Sequence, residues 1–349
     1  MRIEQLTFTR FIAAVSIVFF HYAKGLSIFN NPYLDFVVKY SNVFVSYFFM
    51  LSGFVMIVAY HNKTKINIFE YAKNRFARIY PLYLLGIIMV AIVPFLQNEI
   101  IFSDLFLSLF MIQSWVPQKA LTLNVPGWSI SVEVFFYILF PFLFNLVYKK
   151  VSIKNVSILI IAFWIISQVV YQFMILYPIE NFPLSARDLS YFPLLHLNEF
   201  LVGNLAGIYF VNNLCGNKRN YDLAILVVAT LIILTLKFPT FFSYHNGMLA
   251  VLFIPLILLL SLNTGLVTTL FKNKIFVFLG EISFAVYLLQ FPVWIWVSDY
   301  RLKKYFHIDQ SENFTLAFLM RFAILILFSC ISYIFFEVPV RNKIKKIAV

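Results

Sequence analysis

Long apolar segments recur along the whole sequence, and they constrain the fold more than any other feature. Each is close to the 20 or so residues that a helix needs to cross the hydrocarbon core of a membrane. Hydrophobic residues make up 62% of the chain and charged residues only 12%, a balance that a soluble domain does not need. The segments are 6–23, 36–60, 79–97, 127–148, 153–177, 190–211, 221–237, 246–262, 275–298 and 314–337. They predict an all-α integral membrane protein, a bundle of about ten transmembrane helices in a single domain over residues 1–349.

Two parts of the chain need separate interpretation. The apolar segment 101–114 is too short to be assigned as a span and is predicted to be re-entrant or to lie at the membrane interface. The charged start before segment 6–23 raises the alternative of a cleaved signal peptide. No small-residue cleavage site follows and the segment contains Arg10, so an uncleaved first helix is favoured. No appended soluble domain is expected at either end.

The positive charges are concentrated in alternate loops. If the N-terminus is cytoplasmic, most of the 27 Lys and Arg residues fall on the inner side, from Arg2 through the loop 61–78 to the C-terminal tail. The outer loops carry acidic residues such as Glu180 and Asp309. The positive-inside rule therefore predicts a multi-pass protein of the inner (cytoplasmic) membrane, surrounded by lipid, with both termini in the cytoplasm. The net charge of +12 follows from this topology and needs no nucleic acid as a partner.

The first apolar segment carries two residues that are costly to place in lipid, Arg10 and His21. Eleven residues at about 100° each are three turns plus roughly 20°, so both side chains lie on one helix face. Along the axis they are separated by roughly 16 Å, about half the hydrocarbon thickness. Such residues face a protein interior or a water-filled cavity by default, and they indicate a functional site.

Arg75 and Arg78 lie in the most charged loop, three residues apart and close to Lys73. Two readings stay open from composition alone. The side chains could anchor the loop at the membrane surface as snorkelling cations. Alternatively, the paired guanidinium groups could form a cytoplasmic clamp for a phosphorylated ligand, since arginine binds phosphate through two parallel hydrogen bonds.

The segment that begins near residue 127 carries a polar stripe. Ser129, Glu133 and Tyr137 are spaced by four and share one helix face. Glu133 lies inside the membrane boundary, where a carboxylate indicates either a site or a structural hydrogen bond to a neighbouring helix. Trp128 could be an interfacial belt residue, or its indole N–H could donate to an oxyanion.

Two further polar groups are candidates for contacts to substrate. Tyr287 and Gln290 continue a stripe that begins at Ser283 in the ninth segment. His196 and Glu199 are three residues apart near the outer surface, where they could line an acceptor entrance or be solvated. The sequence has no Cys/His cluster with metal-ligand spacing, so no metal is expected.

Several sequence blocks taken together resemble the acyltransferase 3 family, membrane acyltransferases that modify bacterial surface polysaccharides and related acceptors. The Arg10–His21 spacing and the Arg75–Phe–Ala–Arg78 motif are similar to family motifs. The other blocks are FFMLSGF, WSISVEVFFYILFP, EFLVG, LGEISFAVYLLQFPV and FEVPVR. They run in order from the first segment to the last. Many relatives have His where this chain has Gln290, which puts a chemical role for that position in doubt.

The resemblance implies an acyl-CoA-dependent O-acyltransferase, with acetyl-CoA as the expected donor co-substrate. Its phosphates would dock near Arg75 and Arg78, with Arg10 holding the CoA arm or tuning the site. His21 would act as the catalytic base that takes the proton from a hydroxyl of a saccharide acceptor, on the outer side or lipid-linked. An acetyl-His intermediate stays open.

The roles of the remaining residues are less sharply implied. Glu133 would orient an imidazole or a substrate hydroxyl. An oxyanion donor is also required. Contacts to the substrate or the oxyanion are expected from some of Trp128, Ser129, Tyr137, Tyr287, Gln290, His196 and Glu199.

Two rival functions are weighed against the transferase. Intramembrane Arg, His and Glu also suit a proton-coupled transporter or flippase of glycans or organic anions. The sequence shows no matching pair of broken helices in two halves, which many transporters have. An inactive partner in a polysaccharide assembly is disfavoured by the intact Arg and His pairs. The acceptor sugar, the acylated position, the acyl chain length and any oligomer stay open.

Overall fold

Helices form nearly all of the regular structure in the computed structural model, which describes residues 3–97, 99, 101–178 and 182–347. Arg2 and Glu180, which contribute to the predicted loop charges, lie outside the described residues. The α-helices are α1 (Gln5–Tyr22), α2 (Phe36–Tyr40), α3 (Phe44–Tyr60), α4 (Ile68–Leu96), α5 (Phe102–Leu109), α6 (Gly127–Phe142), α7 (Ile153–Leu176), α8 (Ala186–Leu189), α9 (Pro193–Tyr209), α10 (Asp222–Lys237), α11 (Ala250–Leu262), α12 (Leu266–Phe271), α13 (Lys274–Trp296), α14 (Asp299–Phe306), α15 (Phe314–Ser332) and α16 (Val338–Lys346).

Within the described part of the chain, seven continuous helical stretches are long and apolar enough to cross a membrane. They are Phe36–Tyr60, Ile68–Leu96, Gly127–Tyr148, Ile153–Leu176, Ala186–Leu214, Lys274–Trp296 and Phe314–Lys346. Every predicted segment lies on a helix, so the all-α membrane bundle is confirmed. The count of about ten spans stays a prediction, because α1 carries Arg10 and His21 while α10 and α11 have only 16 and 13 residues.

The 101–114 segment contains the short helix α5, which has eight residues. Eight residues rise only about 12 Å, so α5 does not reach across a hydrocarbon core. The side chains of Phe102 and Phe106 are largely exposed on the bundle surface. A short helix with an exposed aromatic face suits the re-entrant or interfacial position that the sequence predicts.

The third long helix begins earlier than the sequence predicts. The sequence predicts that this segment starts at residue 79, but α4 begins at Ile68. The Asn67 side chain accepts hydrogen bonds from the backbone N–H groups of Phe69 and Glu70, which caps the helix eleven residues upstream. Arg75 and Arg78 therefore lie on a helix rather than in a loop.

Close helix packing depends on glycine at three contacts. A Cβ at Gly203 of α9 would lie 2.1 Å from the Met50 carbonyl oxygen of α3, and one at Gly53 of α3 would lie 2.2 Å from the Phe200 carbonyl oxygen. A Cβ at Gly280 of α13 would meet the Thr7 carbonyl oxygen of α1. Small residues allow helix backbones in membranes to approach closely. The close packing of α3 on α9 and of α1 on α13 fixes the positions of these helices and of the polar residues that they carry.

Candidate active site

A central cavity of about 670 Å³ lies between α1, α3, α4, α6, α13 and α16. It extends to Lys345, which is exposed near the end of α16. Seven of the residues predicted from sequence line it together: Arg10, Arg75, Arg78, Ser129, Glu133, Tyr137 and Tyr287. Because these residues come from four separate helices, the cavity joins motifs that are far apart in the sequence.

Glu133 is the centre of a hydrogen-bond group inside the cavity. Ser52 Oγ donates to Glu133 Oε1 over 3.1 Å, and the Tyr137 hydroxyl donates to the same oxygen. Ser52 and the Tyr137 hydroxyl are themselves 3.3 Å apart. Ser52 belongs to the FFMLSGF block, where a small residue also allows close helix packing. The group fixes the carboxylate, and it links α3 to α6.

Arg75 packs its guanidinium group against two aromatic rings. The Arg75 Cζ atom lies 5.6 Å from the ring centroids of both Tyr71 and Tyr137, which is cation–π distance. Its Nε is buried without a hydrogen-bond acceptor. An N–H donor that is buried and unpaired is costly, so this position favours a ligand that supplies an acceptor.

Basic groups outnumber acidic ones in the cavity. Arg10, Arg75, Arg78, Arg341 and Lys345 face three carboxylates, those of Glu133, Glu281 and Glu337. Arg341 pairs with Glu337 at 3.3 Å, four residues apart across Pro339. Among the described residues, Arg10, Arg75 and Arg78 form no ion pair with a carboxylate within 4 Å. The cavity is therefore suited to an anionic ligand, and the arginine pair to a phosphate.

His21 lies in a second, outer pocket of about 460 Å³. Its side chain is exposed in this pocket beside Lys24. The rings of Tyr22 and Trp294 stack there with centroids 4.1 Å apart and an interplanar angle of 19°. Stacked aromatic rings of this kind offer an apolar wall beside the imidazole.

Arg321 is a buried residue of the outer pocket that the sequence does not predict as part of a site. Its Nε donates to the Val297 carbonyl oxygen over 2.7 Å, and its two other nitrogens donate to Gln310 and Asp299. The only sequence signal was an arginine inside an apolar segment. Arg321 ties α15 to the start of α14 and to the following loop, and so holds one wall of the pocket.

The ion pair of Lys303 with Asp309 holds α14 to the loop that follows it. Lys303 Nζ lies 2.6 Å from Asp309 Oδ2, and this contact lowers the pKa of Asp309 to about 2, helped by Ser311. Asp309 is therefore ionised throughout the physiological pH range.

The structure places His21 and Glu133 in different cavities. Arg10 and His21 lie on the same helix, but roughly 16 Å apart along its axis, with the buried side chains of Ala14 and Ile17 between them. Arg10 lines the central cavity and His21 the outer pocket. Glu133 therefore does not contact the His21 imidazole in this arrangement, and its orienting role stays a prediction.

His196 and Glu199 lie in a buried cluster away from both cavities. Both side chains are 0% exposed, so neither is solvated. Nδ1 of His196 is 2.8 Å from Glu199 Oε2, and its Nε2 is 3.0 Å from the Ser190 carbonyl oxygen. Because a carbonyl oxygen only accepts, Nε2 carries the proton. The Trp128 ring packs on the His196 ring at 5.3 Å, so Trp128 belongs to this cluster as well.

Gln290 and Lys73 also lie outside the two cavities. The Gln290 amide donates to the Tyr287 carbonyl oxygen over 2.7 Å, so it is turned along its own helix. Lys73 Nζ donates to the Ile347 carbonyl oxygen over 2.7 Å, which links α4 to the end of the chain. In this arrangement Arg75 and Arg78, rather than Lys73, face the space that a ligand would occupy.

Known proteins are similar in sequence to this chain over most of its length. A family model described as an acyltransferase domain matches residues 3–337. Acyltransferase MdmB of Streptomyces mycarofaciens is 26% identical over 326 residues, which cover 84% of this chain and 79% of that protein. O-acetyltransferase OatA of Staphylococcus aureus is 23% identical over 330 residues, which cover 86% of this chain and 52% of that protein. The chain thus spans about half the length of OatA.

An uncharacterized protein of Haemophilus influenzae is also similar, at 26% identity over 253 residues, which are 65% of this chain and 98% of that protein. No solved structure matches the chain. The family match covers nearly the whole chain, including both residues of the Arg10–His21 pair and both of the Arg75–Arg78 pair. This multi-pass helical protein belongs to the acyltransferase 3 family.

Proposed function

We propose that the protein is a membrane O-acyltransferase that moves an acetyl group from cytoplasmic acetyl-CoA to a hydroxyl of a bacterial surface saccharide or a lipid-linked saccharide. The observation that carries the proposal is the pair of cavities on helix α1, a basic one at Arg10 and a second one at His21. A transferase that works across a membrane needs a donor site toward one face and a base toward the other. Membership of an acyltransferase family supplies the reaction class.

The donor half of the proposal uses the central cavity. Coenzyme A carries its negative charge on phosphate groups, and the Arg75 and Arg78 guanidinium groups would bind them from the cytoplasmic side. Arg10 lies further along the arm of the donor. The central cavity and the outer pocket are separate, so the proposal requires them to join when the acyl-pantetheine arm extends toward His21.

The acceptor half uses the outer pocket. A sugar ring would pack on the Tyr22–Trp294 wall, which brings a hydroxyl to His21. His21 takes the hydroxyl proton as the sugar oxygen attacks the thioester carbon, and the carbon–sulfur bond then breaks to release CoA as the thiol. An imidazole suits this step because its ordinary pKa is close to neutrality. Transfer through an acetyl-His intermediate would use the same residue as nucleophile.

The test is an assay of purified protein in lipid with acetyl-CoA and cell-surface glycan. Wild-type protein is expected to release CoA only when glycan is present, with acetyl groups recovered on the glycan. His21→Ala should lower the rate by about 100-fold or more, since general base catalysis contributes at least that factor in most enzymes. His307→Asn is the matched control, because His307 has a left-handed backbone that Asn tolerates and it lines neither cavity. A folded wild type that releases no CoA and acetylates no glycan would refute the enzyme assignment.

A further inference from the structure

The last helix presents one basic stripe to the central cavity. The helix continues from α15 through a π-helical turn at Tyr333–Glu337 into α16. Glu337, Arg341 and Lys345 are spaced by four and all line the cavity. Lys343 and Lys346 lie on the same helix and do not line it. The lysines of this tail are therefore not equivalent, and Lys345 is the one that a ligand in the cavity would meet.

Lys345 belongs to an electrostatically unbalanced group. It lies close enough to Arg341, Arg75 and Arg78 to be repelled by all three. Over the described part of the chain, its ammonium group forms no ion pair with a carboxylate within 4 Å. The nearest acidic member of the stripe, Glu337, pairs with Arg341 at 3.3 Å. Gathering these four cations in one cavity is unfavourable unless an anion with several charges binds there.

The cations lie at two depths. Arg75 is at the inner level, with its guanidinium carbon 5.6 Å from the ring centroids of Tyr71 and Tyr137 and its Nε buried. Lys345 is at the opening, with an exposed side chain. Coenzyme A has the same arrangement of charge, because its diphosphate is next to the pantetheine arm and its 3′-phosphate is on the ribose at the far end.

From this match we infer that Lys345, with Arg341 beside it, binds the ribose 3′-phosphate of the donor, while Arg75 and Arg78 bind the diphosphate. The inference rests on the proposed use of acyl-CoA. It goes beyond family membership, since Lys345 lies after residue 337, where the family match ends. The 3′-phosphate site then distinguishes coenzyme A from pantetheine donors that lack this phosphate.

The test is calorimetric binding of CoA and of 3′-dephospho-CoA to the purified full chain in lipid nanodiscs, which needs no acceptor. Wild-type protein should bind CoA about tenfold more tightly than 3′-dephospho-CoA, the ratio expected for one charge-assisted contact. Lys345→Ala should lose that preference, because the substitution weakens the binding of CoA and leaves the binding of 3′-dephospho-CoA unchanged. Lys345→Arg should keep it, because a cation remains at the same position.

Lys343→Ala and Lys346→Ala are the matched controls and should retain the wild-type preference. Equal affinity of wild-type protein for the two ligands would overturn the inference while leaving the proposed function intact. A preference that survives in Lys345→Ala would also overturn it. If wild-type protein binds neither ligand, the inference and the proposed function fail together. Thermal melting of each variant confirms that its fold is retained.

Discussion

At the scale of single residues, charge inside an apolar chain was the most informative signal. Arg10, Glu133 and the Arg75–Arg78 pair were selected from sequence because charge inside or beside a membrane span is costly, and the structure brings them to one cavity. Lys345 was missed because a lysine in a basic tail has the same composition whether it meets water or a ligand. Ser52 was missed because it stands beside Gly53, and two adjacent small residues equally predict close helix packing.

The arginine pair supports a prediction at this scale. Arg75→Ala/Arg78→Ala should raise the KM for acetyl-CoA by about tenfold or more and change kcat less, because both guanidinium groups would contact the donor away from the reacting carbon. Initial rates measured over a range of acetyl-CoA concentrations give both constants. The double variant Arg75→Lys/Arg78→Lys should recover only part of the affinity, since an ammonium group does not form the two parallel bonds of a guanidinium. An unchanged KM in the alanine variant would show that the clamp assignment is wrong.

At the scale of helices, apolar length predicted where each long helix lies but not where it begins or which neighbour it packs against. The start of α4 at Ile68 did have a sequence signal, since Asn67 is followed three residues later by Glu70, as in a capping box. Pairing of α3 with α9 had only weak signals, because Gly53 and Gly203 are far apart in sequence and become partners only through the fold. The separation of Arg10 and His21 into two cavities also depends on these packing partners.

The α3–α9 contact gives a prediction about stability. Gly203→Ala places a methyl group against the Met50 backbone oxygen, which cannot move without displacing α3, so unfolding should be easier by about 1–3 kcal/mol. Thermal melting in detergent measures the effect as a lower Tm. Gly216→Ala is the control, because nothing lies within 4 Å of a Cβ at that position. Equal Tm values for the two variants would mean that the close approach of α3 to α9 contributes little to stability.

At the scale of the whole molecule, the proposed function requires that one particular end of the bundle face the cytoplasm. The basic opening at Arg341 and Lys345 and the His21 pocket lie toward opposite ends of α1, so a donor from the cytoplasm and an acceptor outside require one orientation. The positive-inside rule predicts that orientation from loop charge alone. The seven long apolar stretches leave out α1, α10 and α11, so these three helices decide between seven spans and about ten. Helices of 16 and 13 residues are short for a span, so the crossing of α10 and α11 needs a direct test.

Three single-cysteine variants in a background with Cys215→Ser and Cys330→Ser test both points. Lys304→Cys lies on α14, whose first residue, Asp299, lines the outer pocket. It should react with a membrane-impermeant maleimide in intact cells, whereas Lys218→Cys should react only after permeabilisation. Phe241→Cys lies in the loop between α10 and α11, where the phenylalanine side chain is 75% exposed. It should label from outside like Lys304→Cys, because two crossing helices put this loop on the side opposite Lys218. If Phe241→Cys instead is labelled only after permeabilisation, like Lys218→Cys, α10 and α11 do not cross the membrane.

The same labelling tests the orientation of the whole bundle. If Lys304→Cys is protected in intact cells while Lys218→Cys is labelled, the orientation is reversed, and a cytoplasmic donor would then meet the His21 end first.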